Sequence, residues 1–256
     1  MDGSSAALLF GAGLTGGVVT AIVGGASLIT FPALLATGLP AIVANASNSV
    51  ALTPANVIAG LADLRGRPPG DRSLVGLIVV AVAGGVAGAV LLLVTPEKAF
   101  TAVVPVLIGL ATMLFALSGR VRTWIARRAG DPAAGRGRAD GLRTVLFAPV
   151  AVYGGYFGAG MSVMLLAILS VSRADEYRAN NVVKNLLSGL TGLVAVVVFI
   201  HQGVVAWPPT LVTMAGGLIG GFLGGRLARV VPAEVARWLV ITVGSVLTIV
   251  YAWRYW

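Results

Sequence analysis

Residues 3–62 contain no charged side chain, a run of sixty positions built mostly from Ala, Val, Leu, Ile and Gly with a scatter of Ser, Thr and Asn. No water-facing surface can be made from such a stretch, and about 20 apolar residues already suffice for one helical passage through a bilayer. The run therefore has to fold inside hydrocarbon, where every backbone N–H and C=O needs a partner within the chain, and that favours helices. Further charge-free runs follow at 73–96, 99–119, 144–172 and 238–253, and the stretch 179–225 is interrupted only by Lys184. Charged residues make up 11% of the chain, against roughly 25% in soluble domains. A soluble enzyme, a disordered chain and a secreted disulfide module are excluded; an all-α polytopic membrane protein is expected.

The second half of the chain repeats the first. At a shift of 135, Gly25, Ser27 and Asn45 fall on Gly160, Ser162 and Asn180; at 136, Gly84, Gly85 and Gly88 fall on Gly220, Gly221 and Gly224, and Pro96 on Pro232. A nearly constant offset over such a span marks a tandem duplication. The polar break from Arg173 to Arg178 then falls on Gly38-Leu39-Pro40, a helix stop followed by a helix-starting proline. The pattern predicts about eight transmembrane helices in two pseudo-symmetric four-helix repeats, near 6–37, 41–62, 73–95, 99–118, 144–171, 177–201, 208–229 and 233–254. The expected organisation is a first repeat over 1–118, an arginine-rich linker over 119–143 and a second repeat over 144–256. About 30 residues in one straight helix would reach roughly 45 Å, so the first helix of each repeat is expected to break at its glycines. Two readings stay open: one tilted crossing, or two half-helices that re-enter and thereby invert the repeats.

Sixteen of the 18 cations are arginines spread along the predicted loops, seven of them in the linker. By the positive-inside rule the linker and the loop holding Arg65, Arg67 and Arg72 are cytoplasmic. Counting eight crossings puts both termini there too. The net charge of +9 is assigned to topology and to contacts with anionic lipids, not to nucleic acid, because the arginines are not gathered on one face with aromatics between them. No Lys or Arg precedes the first apolar run, so the first helix is expected to be retained and not cleaved as a signal peptide.

Chemistry is narrowed by absences. The chain has no cysteine and a single histidine, His201, and none of its nine acids lies mid-run. Thiolate metal sites, iron–sulfur clusters, Cys/His nucleophiles and carboxylate relays are unavailable, so neither an enzyme nor a cofactor is expected.

The candidate site residues follow from polarity at membrane depth. Gly24, Gly25 and Ser27 match Gly158, Gly160 and Ser162 in the duplicated first helices; unwound backbone there exposes N–H groups and a helix N-terminus, which together hold an anion. The second helices carry polar stripes that include Asn45 and Asn48 in one repeat and Asn180, Asn181, Lys184 and Asn185 in the other. Lys184 is the formal charge that lies deepest within a predicted span, about two turns past the break at Arg178. Such a charge costs roughly 2.5 kcal/mol or more on insertion scales unless it snorkels or meets an anion. The glycine clusters at 84–88 and 216–225 have small-xxx-small spacing and are read as helix-packing stripes. His201 stands at a helix end beside Gln202-Gly203 and is read as solvated.

With these motifs in hand, the sequence resembles the sulfite exporter TauE/SafE family of membrane permeases. The resemblance rests on Gly16-Gly17, on Val23 through Leu35 and on Ala44-Asn45-Ala46-Ser47-Asn48-Ser49. Its second copy is Gly154-Gly155-Tyr156-Phe157-Gly158-Ala159-Gly160-Met161-Ser162 with Ala179-Asn180-Asn181. It implies a bacterial inner-membrane protein that moves sulfite, a sulfonate such as sulfoacetate, or a related small sulfur-containing anion. The expected function is thus a secondary transporter with a site between the repeats. No phosphate-binding Gly-x-x-x-x-Gly-Lys-Ser/Thr motif is present to couple it to nucleotide. The alternative is a non-transporting membrane subunit that anchors a partner protein. Partners expected are the anion and membrane lipids, with the oligomeric state open between monomer and homodimer.

Overall fold

A computed structural model describes residues 1–22, 24–62, 73–128, 136–170, 177–227 and 233–255. Among the described residues there are ten helices, in the order α1 (Gly3–Ile22), α2 (Ser27–Ala36), α3 (Ala41–Ala62), α4 (Ser73–Val94), α5 (Glu97–Arg128), α6 (Arg136–Tyr156), α7 (Met161–Ser170), α8 (Tyr177–His201), α9 (Trp207–Leu227) and α10 (Ala233–Tyr255). Helices α1, α4, α5, α8, α9 and α10 are each long and apolar enough to cross a membrane. The shift that relates the sequence halves carries α1–α5 onto α6–α10. All eight expected segments are present, and the first of each repeat is two helices, α1/α2 and α6/α7.

Glycine makes both breaks. After α1 the chain turns through Gly24 and Gly25 at φ +86° and +94°, and after α6 through Gly158 and Gly160 at +76° and +79°. These left-handed conformations cost an L-residue about 1–2 kcal/mol and cost glycine nothing extra. Local hydrogen bonds satisfy the exposed backbone: Ala26 N–H donates to Thr20 Oγ1 at 3.1 Å, and Tyr153 Oη donates to the Ala159 carbonyl at 2.7 Å.

The contacts between helices decide the open question. Gly16 of α1 packs on Ala26, just before α2, and on Thr30 of α2, and Thr30 Oγ1 donates to Asn48 Oδ1 of α3 at 2.5 Å, so α2 folds back between α1 and α3. Helices α1 and α9 run in the same direction, with Gly13 against Thr213, Gly17 against Gly217 and Gly221, and Gly224 against Val18. Helices α4 and α6 do likewise, with Gly76 by Thr144, Gly84 by Ala151 and Gly88 by Val152 and Tyr156. The equivalent helices α3 and α8 are antiparallel, Gly192 meeting Thr53 and Gly189 meeting Asn56; so are α5 and α10, where Gly244 meets Thr112 and Gly109 meets Thr248. The repeats are therefore inverted, and each begins with a re-entrant hairpin.

This geometry corrects the expected side of the termini. The hairpin α1/α2 makes no net crossing, so three crossings, α3 to α5, separate the start of α1 from the start of α6. The Glu97 carboxylate accepts the N–H groups of Ala41 and Ile42, and Ser47 Oγ accepts the Ala206 N–H at 3.0 Å, placing the starts of α3, α5 and α9 on one face. Both chain ends share that face, opposite the helix ends that flank residues 63–72 and 129–135. The linker also differs from expectation, because α5 and α6 extend into it as far as Arg128 and from Arg136; charge ends a membrane span but not a helix. The breakers Gly130 and Pro132 lie outside the described residues.

Two outcomes follow from this packing. In the cysteine-free chain, Ser4→Cys and Ala36→Cys are expected to react with an impermeant thiol reagent from one side of the membrane and Gly141→Cys from the other; labelling of Ser4→Cys and Ala36→Cys from opposite sides would mean a single crossing. A methyl group on Gly88 would run into the Val152 carbonyl, so Gly88→Ala should cost about 1–3 kcal/mol and lower the thermal midpoint in detergent. Gly225→Ala, which points into open space, should not lower it.

Candidate functional site

The two hairpin tips line one cavity of about 1010 Å³. Gly24, Gly25, Ala26 and Ser27 contribute from the first break, and Gly158, Gly160, Met161 and Ser162 from the second. Gly25 lies against Phe115 of α5 and Val240 of α10, and Gly160 against Ala111 of α5. The rest of the wall comes from α3 (Ser49, Thr53, Asn56), α8 (Lys184, Asn185, Ser188), α9 and Arg237 of α10. Among the described residues that line it there is no Asp or Glu.

Helix α8 presents Lys184, Asn185 and Ser188 on one face, as spacings of one, three and four residues dictate. Ser188 Oγ lies 3.5 Å from Ser162 Oγ, so this face adjoins the second tip. There α7 begins, and the N–H groups of Gly160 and Ser162 donate to no group among the described residues. These are the unsatisfied donors at the positive end of a helix dipole. The shift of 135 places Ser49 of α3 where α8 has Lys184, and Ser49 Oγ donates to the Asn45 carbonyl at 3.0 Å. Scaffold symmetry is thus paired with an asymmetry of charge.

Eight of the twelve residues singled out from the sequence line this cavity: Gly24, Gly25, Ser27, Gly158, Gly160, Ser162, Lys184 and Asn185. Three lie off it. Asn45 is buried and donates from Nδ2 to the Tyr156 carbonyl at 2.8 Å; Asn48 is buried against Thr30; Asn180 is buried a turn before Lys184. The side chain of Asn181 lies outside the described residues. Asn45 and Asn48 share the polar stripe of α3 but stand nearer its start, where the chain is closed. Sequence reasoning missed Arg237, whose NH2 group donates to the Ala116 carbonyl of α5. Its place four residues into a helix made it look like an ordinary loop-flanking charge, and nothing in the sequence showed that α10 packs this residue against α5.

The cavity is walled off toward the face that holds the termini. Phe31 and Phe157 meet edge to face at 5.3 Å between centroids, Phe157 also meets Tyr153 at 6.3 Å, and Phe100 meets Tyr156 at 5.6 Å. The bond from Asn45 to Tyr156 ties this aromatic layer to α3. The opposite halves of α1, α3 and α9, Arg237 near the start of α10 and Lys184 and Asn185 in the first half of α8 all line it, so the cavity extends toward the other face. Asn45→Ala should leave the Tyr156 carbonyl unpaired and cost about 1–3 kcal/mol of stability, read as a lowered thermal midpoint, with the KM for any transported solute unchanged.

Comparison with known proteins finds relatives along nearly the whole chain. A family model described as "Sulfite exporter TauE/SafE" matches residues 9–251. A probable membrane transporter protein of Haemophilus influenzae is 28% identical over 246 residues, covering 94% of this chain and 92% of the relative. The probable membrane transporter protein ORF9 of a Sinorhizobium species is 26% identical over 95% of this chain and 90% of its own length. The probable membrane transporter protein YfcA of Escherichia coli K12 is 26% identical over 94% and 87%. No solved structure matches. The chain belongs to the sulfite exporter TauE/SafE family, and it is a multi-pass membrane transporter of the bacterial inner membrane, not an enzyme.

Proposed function

We propose that the protein is a secondary transporter of a small anion, sulfite, a sulfonate or a related sulfur-containing anion, bound between the hairpin tips of two inverted halves. The observation that carries this reading is a single cavity shared by both helix breaks, with Lys184 and open N–H donors in its wall and no carboxylate among the described lining residues. Helix N-termini at a broken membrane helix are suited to anionic groups. The Lys184 cation adds a point charge where low dielectric strengthens it. An anchoring subunit has no use for a cavity of this volume with Lys184 and open N–H donors in its wall.

The arginine-rich helix ends mark the cytoplasmic face by the positive-inside rule and suit contact with anionic lipid headgroups. The cavity extends toward that face, which makes this arrangement an inward-facing one. Exchange of the two inverted halves generates the outward-facing counterpart. Labelled sulfite and sulfoacetate should enter proteoliposomes saturably under an imposed pH gradient. Lys184→Ala and Ser162→Ala, if folded, should lower flux at least about tenfold, the loss expected when hydrogen bonds to a charged group are removed. Absence of flux of either anion with well-folded native protein would count against a sulfur anion as cargo.

A further inference from the structure

Arg237 is a guanidinium within a membrane-spanning helix. Its NH2 group donates to the Ala116 carbonyl, its Nε is buried with no acceptor, and it forms no ion pair among the described residues. A guanidinium has five N–H donors, and a half-buried cation whose Nε is fully enclosed is costly to hold on one neutral carbonyl. Among the described residues, the wall of the cavity therefore holds an incompletely satisfied charge.

Its position relative to Lys184 gives that charge a meaning. Arg237 and Val240 are three residues apart and so share a face of α10, and Val240 touches Gly25 of the first hairpin tip. Lys184 shares its face of α8 with Ser188, which adjoins Ser162 of the second tip. One cation thus serves each tip. The repeat equivalent of Lys184 is Ser49, and shifts of 135 and 136 carry Arg237 onto Ala102 and Thr101, so neither cation is duplicated. The pair is a feature of this chain's second repeat and not a by-product of the duplication.

Resting on the transporter reading above, we infer that Arg237 is a specificity-determining residue which, with Lys184, makes the site two-headed and selects anions carrying two acidic groups over those carrying one. The guanidinium fork takes one oxyanion group in paired hydrogen bonds, and Lys184 with the Gly160 and Ser162 N–H groups takes the other.

The test is transport into proteoliposomes of sulfoacetate, which has a carboxylate and a sulfonate, against methanesulfonate, which has one acidic group. Native protein is expected to prefer sulfoacetate in kcat/KM by at least about tenfold, the factor carried by charged hydrogen bonds. Arg237→Gln should raise the sulfoacetate KM by about the same factor and leave that of methanesulfonate nearly unchanged. A native protein without the preference, or an Arg237→Gln variant that keeps it, overturns the inference while leaving the transporter intact. Failure of native protein to move either anion overturns the transporter reading and this inference with it. A measurement on native protein does not depend on the variant folding: sulfoacetate should slow phenylglyoxal modification of Arg237, followed by mass spectrometry, and methanesulfonate should not. Equal modification with and without sulfoacetate overturns the inference.

Discussion

A polypeptide in hydrocarbon has no water to complete its hydrogen bonds, and the rest of this structure depends on how that constraint is met where the helices stop. An interrupted helix leaves donors and acceptors unsatisfied, at several kcal/mol each in an apolar medium. Here Thr20 and Tyr153 close part of each gap from within the same hairpin, and glycines at positive φ let the chain turn back at once. What remains open among the described residues is a small set of N–H groups on residues that line the cavity. The cost of breaking the helix is thereby concentrated at the site where a ligand can offset it.

The hairpins are held by contacts so close that only glycine permits them. Along α1 and α9, and again along α4 and α6, methyl groups at Gly13, Gly17, Gly84, Gly88 or Gly220 would collide with the neighbouring helix backbone. In a membrane, where apolar association gains nothing from leaving water, such packing supplies the attraction. Each hairpin is fastened to a helix of the other repeat, so the two halves cannot rearrange without carrying one another's tips. The polar and aromatic closure around Phe31, Phe157, Tyr156 and Asn45 lies on one side only. That one-sidedness breaks a symmetry the scaffold otherwise obeys.

Charge breaks it a second time. Duplication placed hydroxyl and amide side chains on both α3 and α8, yet Lys184 and Arg237 both belong to the second repeat. A symmetric frame suits two equivalent end states for alternating access, and in the site we propose an asymmetric pair of cations sets what binds in between.

The helix content, the duplication, the broken first segments and the glycine packing stripes were legible in the sequence, because each depends on local composition or on period. A helix in lipid has to be apolar, a left-handed turn calls for glycine, and a close crossing demands small residues wherever it occurs. Lys184, Ser27 and Ser162, which line the cavity, stand out in the sequence by the same logic, as polarity where none is expected. Tertiary structure alone decided the rest. Whether α2 returns beside α1 depends on Gly16 meeting Thr30, and that parity inverted the repeats and moved both termini to the other face. Asn45 and Asn48 lie on the same polar stripe as Ser49 but hold the closed side together, while Arg237, ordinary in sequence, is drawn to the cavity wall by its packing on α5. Such assignments depend on which surfaces meet across long chain separations, and composition and period carry no information about that.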